Sequence, residues 1–375
     1  MTKKILIGYI TGLKNGGINK YLLNVVNALK DEECQIDMLT SCYTEELERE
    51  LNLLDIRLFN IHRLTNPIKR YKETKEIVKR ENYDIVYFNI SEAFNCICNI
   101  AVKRNSDSIV ITHSHSSNSD TQNYFKRKVL FVIHKICQPL LNKNSDYFYS
   151  CSLVAGEWLF GKKVIKNNRL RIIRNTVDTN KFKFNQSIRD KIRTKYGIKE
   201  SEKVIGFVGN LVYQKNPLFL LDVFDEIHKI NPHTKLLIIG EGFLRKEVEE
   251  KISSLILNDS VILTGHVENV NEFMSAMDCF VLPSIFEGMP IVGIEAQSNL
   301  LECFFSDTIT EEVSVSNLAH FISINESPRI WAEQILSVLP NCRLKNISFK
   351  NVIIDSTQQI QEFKDIFIKN KFMED

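Results

Sequence analysis

Two glutamates, Glu287 and Glu295, are separated by seven residues in the segment LPSIFEGMPIVGIEA at 282–296. Glu287 is expected in a loop after a buried strand, with Pro290 opening a helix that carries Glu295 on its second turn. The backbone amides of Gly288 and Met289 would then point out of a helix N-terminus, where their dipoles favour a phosphate oxygen. A carboxylate farther along can accept two ribose hydroxyls, as acidic residues do at dinucleotide sites. On spacing alone, the commoner reading of such a pair is exposed surface charge.

Glycines collect where strands are expected to end: Gly12, Gly16 and Gly17 after the first, Gly206 and Gly209 around KVIGFVG, Gly240 and Gly242 after KLLIIG. Each marks a tight turn where helix amides can face an anion. None gives Gly-x-Gly-x-x-Gly with an acidic residue about 20 positions on, and a Walker lysine motif is absent. His113 and His115 sit one residue apart in THSHSS, just beyond an expected strand. Such a pair reads as metal ligands or as satisfied loop histidines. No second cluster of His, Cys or carboxylates at ligand spacing accompanies it, so no metal is expected.

Positioning these groups requires a scaffold, and the chain alternates short β-rich runs with helical patterns along most of its length, the signature of doubly wound parallel sheets. The expected strands are KILIGYI, QIDMLT, DIVYFN, SIVITH and DYFYSC, then KVIGFVG, KLLIIG, SVILTG and CFVLPS. Helical spacing runs over Ile18 to Leu29, Pro67 to Arg80 and Tyr124 to Leu141, and Asn216 with Pro217 fits the start of a helix reaching Ile230. A polar stretch after residue 175 divides the pattern. It gives one α/β domain over 1–180, joined by a last helix within 356–375, and a second over 200–355.

A chain of 375 residues, 44% hydrophobic and 25% charged, has core material for about two domains. MTKKILIGYITGL reads as a first strand without a signal-peptide cleavage site, and no stretch reaches the roughly 20 apolar residues of a membrane span. Nine cysteines without a Cys-x-x-Cys pair suit reduced thiols in the cytoplasm, with Cys96 and Cys98 in the core. Residues 1–180 hold 27 Lys and Arg against 19 Asp and Glu, while the remainder holds 21 against 27. The basic half suits an anionic partner, a phospholipid surface or a lipid pyrophosphate, or else solvated helix faces.

The 282–296 segment resembles the paired-glutamate motif of retaining family 4 glycosyltransferases of the GT-B fold, which has two facing Rossmann-like domains and a C-terminal helix packed back on the first. GNLVYQKNP (209–217) is similar to the loop whose lysine holds the donor diphosphate, which implies that role for Lys215. IIGEGFLRKEVE (238–249), with Gly240 and Gly242, resembles the turn bordering the nucleotide base, and IRNTVDTNKF (173–182) the hinge with its asparagine, Asn175. SDTITEEV (306–313) and the Trp331 region resemble a bacterial exopolysaccharide subgroup. The likeness implies His113, Glu287 and Lys215 as catalytic residues. It implies donor binding by Gly16, Gly17, Asn210, Lys215, Gly240, Gly242, Gly288, Met289, Pro290 and Glu295, with His115 and Asn175 as secondary candidates.

What the family implies is transfer of a sugar from a nucleotide-diphosphate donor, preferably of uridine, to a saccharide or lipid-linked saccharide, with retention, in cell-surface polysaccharide synthesis. The donor is a co-substrate, no cofactor or nucleic acid is expected, and the absence of Asp-x-Asp agrees with metal-free GT-B chemistry. Two positions depart from the pattern: Asn210 replaces an arginine, and SNLLECFFSD (298–307) has Leu300 and Glu302 where small and proline residues are usual. These departures leave room for a non-catalytic partner subunit, or a GT-B nucleotide-sugar epimerase, as alternatives. Val129, Val132, Ile133 and Ile136 form a stripe flanked by Lys126, Arg127, Lys128 and Lys135. That helix is expected to pack on its own domain, with contact to an anionic membrane at the inner face of the cell as the second reading.

Overall fold

Strands separated by helix-length crossovers pair in parallel, because a tight hairpin is not available to them. In the computed structural model, which describes residues 2–11, 17–119, 121–339, 349 and 356–373, the chain forms two units, 1–175 with 356–375 and 176–355. The first unit contains β1 (Lys3–Gly8), α1 (Gly17–Leu29), β2 (Cys34–Thr40), α2 (Glu45–Asn52), β3 (Arg57–Asn60), α3 (Pro67–Glu81), β4 (Ile85–Ile90), α4 (Ile97–Asn105), β5 (Ile109–Ser114), α5 (Tyr124–Lys143), β6 (Tyr147–Ser150), α6 (Leu153–Phe160), α7 (Lys162–Lys166) and β7 (Leu170–Ile172). Its parallel sheet runs β3-β2-β1-β4-β5-β6-β7, with β4 buried at every position. The order reverses between β1 and β4, the kind of switch point at whose strand carboxyl ends open α/β sheets bind ligands.

The second unit contains α8 (Gln186–Lys195), β8 (Lys203–Val208), α9 (Pro217–Ile230), β9 (Thr234–Ile239), α10 (Arg245–Ser254), β10 (Val261–Gly265), α11 (Val270–Ala276), β11 (Cys279–Leu282), α12 (Ile291–Ser298), β12 (Glu302–Ser306), β13 (Ala319–Ile322) and α13 (Pro328–Val338). Its strands are also parallel, in the order β10-β9-β8-β11-β12-β13, and the reversal falls between β8 and β11. The final helix, α14 (Ser356–Phe367), packs back on the first unit as expected: Phe363, Ile366 and Phe367 share a core cluster with Tyr21, Val25 and Tyr87. Gln359 donates to the Arg174 carbonyl at 2.7 Å, and Arg171 pairs with Glu362 at 3.0 Å.

Several elements escape the sequence pattern for physical reasons. β3 and β7 are three- or four-residue edge strands with little buried surface to create a signal. The polar stretch after 175 holds α8, whose charges serve a neighbour: the Arg189 guanidinium donates to the carbonyls of Ser275, Ala276 and Met277 at the end of α11, at 3.3, 3.1 and 2.9 Å. It also binds Asp278, whose second oxygen accepts from the Val204 amide at 2.7 Å. Asn216 precedes α9 in the left-handed region, at φ 55°, and makes no side-chain cap.

The stripe on α5 does not pack on its own domain. Val129, Val132, Ile133 and Ile136 are 58%, 55%, 40% and 67% exposed, because α5 anchors through the opposite edge. There Leu141 is buried, and His134 accepts from the Ala93 amide at 3.1 Å, meets the Trp158 carbonyl at 2.8 Å and stacks on that indole. Among the described residues no helix is long and apolar enough to cross a membrane.

Candidate functional site

At the switch point of the second unit, the loops after β8 and β11 meet. The loop after β8 lies flat against the turn after β9: the Gly209 amide donates to the Ile239 carbonyl at 3.0 Å and the Leu211 amide to Glu241 at 2.8 Å. A β-carbon at Gly240, where φ is +141°, would sit 2.0 Å from the Gly209 carbonyl oxygen, and one at Gly242 would sit 2.4 Å from that of Leu211. Only glycine permits this approach, so Gly240 and Gly242 shape the loop that carries exposed Asn210 and then Lys215.

Lys215 closes a short helical turn and reaches Glu287, its Nζ lying 2.5 Å from Oε1. The same oxygen accepts from Ser284 Oγ at 2.8 Å, and Oε2 accepts from Gln214 Nε2 at 3.1 Å. A backbone bond from the Ile285 amide to the Gln214 carbonyl, 2.8 Å, ties the two loops together. Thr308 Oγ1 holds the Ser284 carbonyl at 2.7 Å, and Ser306 Oγ does so as well. A carboxylate fixed by this many donors presents a charge that need not reorganise when substrate arrives. Glu287 and Lys215, far apart in sequence, are thus one unit of the site. Gln214 and Ser284 were not legible, because neither residue type at these positions signals anything until the loops are adjacent.

Pro290 stands at the N-cap of α12 and Ile291 begins the helix, one residue later than expected. Met289 and Glu295 are buried, and Glu295 lies on the second turn. α12 is pinned by Gln297, which donates to the carbonyls of Gly293 and Val313 at 2.9 and 2.8 Å and accepts from the amides of Val315 and Ser316, both at 3.1 Å.

The departures at 298–307 show how the chain absorbs them. Glu302 is buried and pairs with His320 at 2.6 Å, a partner that a proline would not need. Leu300 follows the Asn299 C-cap at φ 62°, the left-handed conformation that glycine adopts without a steric penalty. Leu300→Gly is therefore expected to stabilise the protein by about 1 kcal/mol, read as a higher urea midpoint. An unchanged or lower midpoint would mean that the packing of the leucine offsets the strain.

In the first unit β5, the neighbour of β4 on the side away from β1, carries His113 inside the strand rather than beyond it. Its ring is wholly enclosed, with Nδ1 facing Tyr21 Oη at 3.1 Å and also bonded to Tyr87 Oη. The two phenol oxygens lie 2.8 Å apart. His115 is partly exposed, stacks on His113 with ring centroids 4.1 Å apart, and lies 2.7 Å from Asn89 Oδ1 through Nε2. Asn89 Nδ2 donates to the Gly8 carbonyl at 3.1 Å, which leaves Oδ1 to accept and places a proton on His115 Nε2. Burial raises the Tyr21 and Tyr87 pKa values well above the ordinary one, so both phenols stay protonated and one donates to His113 Nδ1. The proton of His113 is then on Nε2, which is buried without a hydrogen-bond partner among the described residues.

Both imidazoles are neutral. Burial, then the neighbouring His115, lowers the His113 pKa well below its ordinary value, and burial brings that of His115 down to about 3. The unfolded chain takes up these protons near pH 6.5 while the folded chain refuses them, so the unfolded state binds more protons and stability rises with pH across that window. Stability is accordingly expected to fall as pH drops below about 6.5 and to keep falling toward 3. His115→Asn should remove up to about 1.4 kcal/mol per pH unit of that slope, measured as urea midpoints against pH. An unchanged slope would mean that this ring takes up its proton in the folded chain.

Gly17 is the first residue of α1 and exposed, whereas Gly12 and Gly16 lie outside the described residues. Asn175 is buried at the end of the first unit. Among the described residues no group of three or more His, Cys, Asp or Glu is arranged to hold a metal ion.

Two parallel sheets of seven and six strands, each with one reversal in its strand order, make up the two-domain α/β architecture of the GT-B fold. A crystal structure of Anabaena Alr3699/HepE in complex with UDP and glucose has the same fold, with a TM-score of 0.73 at 16% identity over 98% of this chain and 95% of that one. Residues 15–181 match the model for Glycosyltransferase Family 4 and residues 188–351 that for Glycosyl transferases group 1. The chain belongs to these glycosyltransferases. EpsF of Bacillus subtilis (strain 168), a provisionally named glycosyltransferase, is 27% identical over 89% of this chain and 87% of its own length. The UDP-Gal:alpha-D-GlcNAc-diphosphoundecaprenol alpha-1,3-galactosyltransferase of Escherichia coli is 25% identical over 94% and 93%.

Proposed function

We propose that this glycosyltransferase moves a sugar from a uridine-diphosphate donor to a saccharide carried on a lipid diphosphate, with retention, in cell-surface polysaccharide synthesis. The observation that carries the reading is the Lys215–Glu287 pair at the β8/β11 switch point, ahead of the helix that holds Glu295. Breaking the sugar–phosphate bond leaves negative charge on the nucleoside diphosphate, and a fixed cation there stabilises the transition state more than the ground state. Lys215 and the amides of Gly288 and Met289 take that charge, Glu287 touches the donor sugar, Glu295 receives the ribose hydroxyls, and His113, whose ring is enclosed, meets a sugar hydroxyl once substrate binding opens a path to its Nε2–H. Under retention the acceptor oxygen bonds to the anomeric carbon on the face the phosphate leaves, and the acceptor proton passes to the departing phosphate oxygen. The donor and lipid-linked acceptor in the name of the Escherichia coli relative support this choice of substrates. An acceptor of that kind is presented at a bilayer, so the reading places the protein at the inner face of the cell membrane.

Thermal stabilisation by a panel of nucleotides and nucleotide sugars tests the donor site. Stabilisation by uridine diphosphate, lost in Glu295→Ala, is expected. The anomeric configuration of the product, read by NMR, tests retention. No stabilisation by any nucleotide at millimolar concentration would overturn the reading.

A further inference from the structure

The outward face of α5 is built in a way that packing within the first unit does not explain. Phe125, Val129, Val132, Ile136 and Leu140 recur at intervals of four, three, four and four, which puts them on one side of the helix. They are 78%, 58%, 55%, 67% and 47% exposed. Leu153 and Val154, at the start of α6, add further exposed apolar surface in the same unit. A soluble surface rarely leaves so many large apolar side chains contiguous without an interaction to cover them.

The charges of α5 identify the occupant. Lys126, Lys128, Lys135 and Lys143 are exposed, and the helix contains no acidic residue. Lys135 also lines, with Lys162, Gln138, Glu157 and Trp158 among others, a depression of about 500 Å³ beside α6. A second copy of this face would bring lysine rows against lysine rows, which repel. An anionic bilayer satisfies both halves of the pattern: acyl chains cover the apolar stripe, and lipid phosphates meet the lysines at its edges.

We infer that α5 is the membrane-docking element of this protein, lying in the plane of an anionic bilayer with Phe125, Val129, Val132, Ile136 and Leu140 inserted between headgroups. Helix and lysines cooperate, so neither charge nor apolar surface alone gives stable attachment.

Flotation of the full chain with vesicles of phosphatidylcholine, with or without phosphatidylglycerol, tests this. Binding to the anionic vesicles is expected, at least about tenfold weaker with phosphatidylcholine alone or in about 0.5 M salt. Val132→Glu/Ile136→Glu should lose binding to a similar extent with an unchanged melting temperature, since both side chains are solvent-exposed. An Ile136→Trp reporter should be quenched by brominated lipid. Equal binding of the double glutamate variant and the wild type, no binding to the anionic vesicles, or a wild-type dimer that this variant dissociates would overturn the inference. Vesicle binding requires no donor or acceptor, so this result and the transferase assay fail independently.

Discussion

Lys215→Ala is expected to lower transfer turnover by about a hundred- to a thousandfold and to remove stabilisation by uridine diphosphate. The lysine is the cation held at the β8/β11 switch point, and Asn210, where the family usually has an arginine, provides no second formal charge. An amide in that position can donate a hydrogen bond, but charge-assisted bonds are roughly twice as strong, so the loss falls on Lys215. The substitution also leaves Glu287 buried without this counter-charge, although Ser284 and Gln214 still donate to it, and should cost about 1–3 kcal/mol of stability. Lys215→Met/Glu287→Gln separates the two effects, because it removes both charges together. Its melting temperature should recover toward wild type while turnover stays low. Turnover of Lys215→Ala within about threefold of wild type would show that the leaving group draws its stabilisation from elsewhere.

How much of this was visible in the sequence depends on whether a residue's neighbours are local. Glu287 and Glu295 could be placed on a loop and a helix because a strand, a proline and a helical run surround them within fifteen positions. Lys215 could be placed by resemblance, but its contact with Glu287 depends on β8 and β11 being adjacent strands, a property of sheet order that local pattern does not contain. The same limit hid Tyr21 and Tyr87, which stand in an expected helix and an expected strand and meet at His113 only once three elements pack together. Gly240 and Gly242 were legible as a turn, whereas their reason, backbone-to-backbone contact with Gly209 and Leu211, was not. Periodicity found the apolar stripe of α5 but could not tell which side of the helix faces the sheet. His134 and Leu141 settle that through contacts on the opposite edge.

His113→Ala is expected to lower kcat by about a hundredfold, with a smaller change in KM. Its buried Nε2–H lacks a partner among the described residues, and leaving such a donor unpaired costs about 1–3 kcal/mol. On the proposed reading that cost is recovered when a sugar hydroxyl completes the bond, which would direct binding energy at the reacting sugar. Because the ring remains neutral far below its ordinary pKa, turnover should show no inflection from His113 between about pH 6 and pH 8. The tyrosines act through the tautomer. Tyr87→Phe leaves Tyr21 Oη at 3.1 Å to donate to Nδ1 and should cost only about three- to tenfold. Tyr21→Phe/Tyr87→Phe frees Nδ1 to take the proton, removes it from Nε2, and should approach the loss seen for His113→Ala. Nitrogen-15 NMR of the imidazole reads this directly, with an Nε2–H tautomer expected in the wild type and a mixture in the double variant. A wild-type ring protonated on Nδ1, or a double variant with undiminished kcat, would mean that the two phenols pack against the histidine without directing its donor.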